Sequence, residues 1–94
     1  MFDKMKQLYE MQKQAKQMKK TVEALKVEKS ADGVTVVMNG AMKVETLSID
    51  DAWFAAGKRG ALESKLKDLV NAAAEEAGKL SAQEAMQMMK GLGL

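Results

Sequence analysis

Lys6, Lys13 and Lys20 recur every seven residues near the start of the chain, with Lys16 beside them. On an α-helix turning about 100° per residue these four ammonium groups share one face, in a row roughly 21 Å long. Asp3, Glu10 and Glu23 fall to its flanks, so no carboxylate lies inside the row. Such a row can track phosphates, because each lysine near a phosphate releases counterions and adds affinity that does not depend on sequence. The same pattern fits a solvated face, an anionic membrane surface or an acidic partner.

Other chemistry has little to work with. The 94 residues include no cysteine and no histidine, which excludes disulfides, thiolate nucleophiles and thiolate metal sites, and removes the commonest general base and metal ligand. Ser30, Ser48, Ser64 and Ser81 therefore have no imidazole to activate them. Gly57-Lys58-Arg59-Gly60 contains phosphate-binding residue types without the spacing of a phosphate loop or a dinucleotide fingerprint. No paired acidic motif stands in a glycine-rich loop to suggest magnesium. The expectation is a protein that is not an enzyme, with no catalytic residue, no cofactor, no metal and no small-molecule substrate.

The net charge of +2 conceals an uneven distribution. Residues 1–29 carry eight lysines against four acids, residues 30–57 one lysine against four acids, and residues 58–94 six bases against five acids. The basic excess sits at the N-terminus. No apolar run approaches the roughly 20 residues of a membrane span, and the opening segment has no apolar export signal. A cytoplasmic chain with no membrane partner is expected.

The row needs a helix to hold it. From Phe2 to about Leu25 the residues are mostly strong helix formers, without glycine or proline. Met1, Leu8, Ala15 and Val22 make one apolar row and Met11, Met18 and Leu25 a second, broken by Lys4. This is an amphipathic helix over 1–26 with a coiled-coil-like seam, weak at Ala15, that suits a bundle or a short pair. A methionine stripe at this spacing reads as core or dimer seam.

Residues 27–49 change period and predict a three-stranded antiparallel meander. Asp32-Gly33 supplies one turn, and Asn39-Gly40 is the strongest short-range signal for a tight hairpin. In the third strand, Met42 to Ile49, the step from Val44 to Leu47 is odd and predicts a bulge or twist near Glu45-Thr46. Residues 50–60 form a connector in which Trp53 is a packing anchor under the sheet or at a subunit contact, or a residue that stacks on a base. A second long helix, 61–90, carries Leu62, Leu66, Leu69, Val70, Ala73, Ala77 and Leu80 on one stripe. Gly78 and the capping-box pattern from Ser81 to Glu84 allow a kink or restart there. Residues 91–94 make a frayed tail. The fold class is α+β, a single α-β-β-β-α domain over 1–94 whose sheet has one face covered by the two helices. Aromatics are only 4% of the chain, and a small core of this kind often gains stability by homodimerising. Leu8, Met11, Met18, Val36, Met38, Leu66 and Leu69 are the expected core and dimer residues.

Several of these segments resemble the YbaB/EbfC family of bacterial nucleoid-associated proteins. The resemblance rests on the Gln/Met/Lys-rich run Met11 to Lys20, the strand and turn Gly33 to Gly40, the strand Val44 to Asp50, and the run Asp68-Leu69-Val70 with the alanines after it. It covers almost the whole chain. Glu75-Glu76-Ala77 departs from the Asn-Asp or Asn-Glu that usually precedes an alanine in the family, and Asp51-Ala52-Trp53-Phe54 replaces a proline-containing connector. What the resemblance implies is a homodimer with projecting helices that binds double-stranded DNA in the cytoplasm and nucleoid with modest sequence preference. By region, it includes Lys13, Lys16, Lys19 and Lys20, so that together with the charge pattern the candidate DNA contacts are Lys6, Lys13, Lys16, Lys19 and Lys20. The charge pattern leaves a second reading, a helical protein-interaction module that docks a partner on the methionine seam and keeps its lysine face for solubility.

Overall fold

A computed structural model describes residues 2–91. Met1 of the apolar seam and residues 92–94 of the tail lie outside the described residues. The elements are α1 (Phe2–Ala24), β1 (Lys26–Ala31), β2 (Val34–Asn39), β3 (Val44–Ile49), a short 3-10 helix (Asp51–Phe54) and α2 (Arg59–Gly91). The chain is thus α+β, with an antiparallel sheet in the order β1-β2-β3.

Two connections of the sheet are built differently. Asp32 and Gly33 both take positive φ, 51° and 81°, the requirement of a two-residue turn whose twist matches its strands. At Asn39-Gly40 the expected tight hairpin gives way to a longer loop. Asn39 stays in β2, its side-chain oxygen accepts from the N–H groups of Ala41 (2.8 Å) and Lys43 (3.2 Å), and the left-handed residue is Met42 (φ 62°). A buried asparagine that satisfies two loop amides replaces the left-handed glycine the dipeptide suggested. Gly40 serves close approach instead. Its N–H donates to the carbonyls of Val22 (3.0 Å) and Leu25 (3.1 Å), and a Cβ there would stand 2.4 Å from the Val22 oxygen. The bulge falls where the odd spacing put it, with Val37 opposite Thr46 and Met38 opposite Val44, so Glu45 is the extra residue.

The core is narrower than expected. Val27, Val34, Val36 and Met38 of the sheet pack with Leu69, Ala73 and Ala77 of α2, and Leu62, Leu66, Val70 and Leu80 close around them. Small alanines let the α2 backbone approach the sheet. Among the described residues α1 contributes nothing to this cluster, which corrects the expectation that both helices cover the sheet: α1 is tied to it at its C-terminal end, over Gly40. Leu8 and Met11 are correspondingly not core, being 59% and 64% exposed. The helix α2 begins at Arg59, two residues early, and passes Gly78 and Ser81 without a break; burial of Ala73 and Ala77 on one stripe outweighs the local preference to restart.

Beyond the sheet α1 and α2 run side by side as an arm. Met11, Ala15 and Met18 face Ala85, Met88 and Met89 across a cleft of about 300 Å³. The arm makes the chain elongated, 68 × 19 × 16 Å with a radius of gyration of 18.9 Å, against roughly 12 Å for a compact domain of this length.

Candidate nucleic-acid interface

The lysine row lies on the outer face of the arm because the seam of α1 turns toward α2. Met18 is half-buried, whereas Lys6, Lys13, Lys16, Lys19 and Lys20 are all exposed. Lys13 and Lys16 share a cleft of about 180 Å³ with Tyr9 and Gln12. Lys6 and Lys20 extend the same face toward the tip and the sheet. Lys19 follows Lys16 by three residues and is rotated toward the side of the helix, so it borders the row.

Four lysines outside the row are paired with carboxylates. Lys29 reaches Glu76 at 2.6 Å, Lys65 reaches Asp32 at 2.7 Å, Lys79 lies 3.5 Å from Glu75, and Lys26 is paired with Glu45. These contacts lie on the sheet, its turn and α2. Among the described residues no carboxylate lies within ion-pair distance of Lys6, Lys13, Lys16, Lys19 or Lys20. Lys4, Lys43, Lys58, Lys67 and Lys90 likewise have no ion-pair partner among the described residues, so what distinguishes the row is that its open charges line up on one exposed face of α1. An anion meeting this face displaces only water and counterions and breaks no internal pair.

The remaining expected residues divide. Val36, Met38 and Leu69 are buried together and Leu66 packs against them, while Leu8, Met11 and Met18 lie on the arm. Trp53 is half-buried against the core, and its indole N–H donates to the Asp32 carbonyl at 2.8 Å. That contact and its place against the core fit the packing-anchor reading. Tyr9 is not among the residues that the sequence pattern singles out. The one signal for it is its position, three residues after Lys6 and four before Lys13, on the side away from the seam.

No group of three or more acidic residues placed to hold a metal ion occurs among the described residues. Nor is any described helix long and apolar enough to cross a membrane. No curated protein and no solved structure matches the sequence. A family model does match, over residues 1–92. The chain belongs to the YbaB/EbfC DNA-binding family.

Proposed function

We propose that this protein binds double-stranded DNA as a homodimer, through contacts between the α1 lysines and phosphates, and takes part in organising the nucleoid and influencing gene expression. The observation that carries the reading is the row Lys6, Lys13, Lys16 and Lys20, exposed along one face of α1 and, among the described residues, without ion-pair partners. Lysine is a compact point charge suited to phosphate oxygens, and no cluster of Arg or Asn at a helix start is placed to read base edges. Binding is accordingly of low sequence specificity. Family membership supports DNA as the partner, and a family of DNA-binding proteins favours binding over catalysis.

Dimerisation has its own support. Val36 is fully buried under α2, whereas Leu47, directly opposite it on β3, is 51% exposed, and Val44 is 46% exposed. Directly opposite residues share a face, so the apolar face continues past the reach of α2 along an edge strand. A second copy covering that edge would also present a second lysine row, raising affinity through bivalency.

Duplex DNA titrated at two salt concentrations tests the reading, together with a variant in which Lys6, Lys13, Lys16 and Lys20 are changed to Gln. The expected result is affinity that falls steeply with salt and a variant that binds far more weakly. Unchanged affinity in the variant removes the row from the mechanism. A stable dimer that ignores DNA at low salt favours instead a partner-docking module built on the methionine cleft of the arm.

A further inference from the structure

Tyr9 lies outside the hydrophobic core. It is 67% exposed, and its phenol carries no hydrogen bond among the described residues. It sits on the face of α1 opposite the seam, so neither α2 nor a helix docked on that seam covers it. Its neighbours at helical spacing are Met5, Lys6, Gln12, Lys13 and Lys16, and with the last three it lines the cleft of about 180 Å³. A large aromatic in the middle of a basic, solvated face needs a different account from core packing or solubility.

Resting on the DNA-binding reading, we propose that this cleft is the non-ionic contact of the interface: the Tyr9 ring packs against a deoxyribose of the duplex while Lys13 and Lys16 take the phosphates on either side. Within a duplex the bases are stacked and their faces closed, so the surface an exposed ring meets beside a phosphate is the sugar. Lysine stems and the phenol ring together form an apolar floor between charged ends, which matches the alternation of sugar and phosphate along a strand. The Gln12 amide adds a neutral donor to the same backbone. The lysines supply the salt-dependent part of the affinity, and the ring supplies a part that salt does not screen.

The two parts separate in one experiment. Binding of a duplex is measured at several salt concentrations for the wild type, Tyr9→Ala, Tyr9→Phe and the Lys13→Gln/Lys16→Gln double variant. Tyr9→Ala is expected to bind about fivefold more weakly at every salt concentration, from the apolar area removed, with an unchanged slope of log K against log salt. Tyr9→Phe keeps the ring and binds like the wild type. The double variant lowers the slope by about 0.9 for each phosphate that is no longer neutralised. Alanine is the better helix former and the site is exposed, so folding is retained. Wild-type affinity in Tyr9→Ala overturns the proposal and leaves the lysine row standing. So does a Tyr9→Ala variant with a reduced slope. If the wild type itself fails to bind duplex DNA at low salt, the DNA-binding reading falls first.

Discussion

The indole N–H of Trp53 donates a 2.8 Å hydrogen bond to the backbone carbonyl of Asp32, at the tip of the β1-β2 hairpin. The same turn is held from two other sides. Asp50 donates its N–H to the Gly33 carbonyl at 2.8 Å, and Lys65 of α2 reaches the Asp32 carboxylate at 2.7 Å. A turn that would otherwise be a free loop tip thus fixes the connector and the start of α2 against the sheet, and α2 in turn carries one side of the arm. Trp53→Phe keeps an aromatic ring against the core and removes the hydrogen bond, so it should lower stability by about 1 kcal/mol. Trp53→Ala should cost clearly more, because the packing of the ring goes with it. Chemical denaturation at a fixed protein concentration measures both, and equal losses would mean that the ring contributes nothing.

The Asp32 carboxyl titrates below its ordinary range, first because Lys65 donates a hydrogen bond to the carboxylate and then through the attraction of that ammonium. A depressed folded-state pKa contributes stability above the unfolded value, about 3.9, and that contribution is lost as pH falls through the folded value. Asp32→Asn, which tolerates the left-handed backbone, should therefore be slightly less stable than the wild type at pH 6 and indistinguishable from it near pH 2. The site is exposed, so added salt should shrink the difference. A constant difference from pH 6 to pH 2 would assign the effect to the backbone turn.

Two glycines should respond in opposite directions to alanine. At Gly40 the added Cβ would meet the Val22 carbonyl at 2.4 Å, the Val22 side chain at 3.0 Å and Leu25 at 3.1 Å. The nearest of these is backbone and cannot rotate away, so Gly40→Ala should destabilise by roughly 1 to 3 kcal/mol and loosen the end of α1 from the sheet. At Gly78, inside α2, nothing lies within 4 Å of the added atom. Gly78→Ala should stabilise by about 0.5 to 1 kcal/mol by reducing the freedom of the unfolded chain. Thermal unfolding of the two variants, with helicity followed by circular dichroism, tests the contrast.

These positions also mark how far the fold and its site were legible in the sequence. Asp32-Gly33 could be read as a turn because both residues tolerate positive φ, and the bulge at Glu45 because a strand's period of two makes one extra residue visible. Asn39-Gly40 misled because the same dipeptide serves another purpose: the asparagine side chain closes the loop, and the glycine admits the end of α1. That approach joins residues distant along the chain and leaves no local pattern. The sparing use of α1 in the core was hidden for a related reason. An apolar seam states that something is covered, without stating whether the sheet, α2 or another chain covers it. In the candidate site, the lysine row was visible as a seven-residue period. The absence of internal partners was not, because ion pairs such as Lys29 with Glu76 bridge β1 and α2.

The uncovered part of the apolar face gives the last prediction. Leu47 faces the α2 side of the sheet, opposite the fully buried Val36, yet stands half exposed on the edge strand β3. Within one chain, changing it to glutamate buries no charge and should leave the fold intact. If β3 is the seam between two copies, Leu47→Glu brings two carboxylates into an apolar contact, where desolvation and like-charge repulsion both oppose association. The variant should then sediment as a monomer at concentrations where the wild type is a dimer, with circular dichroism retaining its helix content. DNA affinity should fall with it, because bivalent engagement of two lysine rows is lost, while the salt slope per chain persists. A Leu47→Glu protein that remains a dimer would move the seam elsewhere, to the exposed Leu8 and Met11 of the arm.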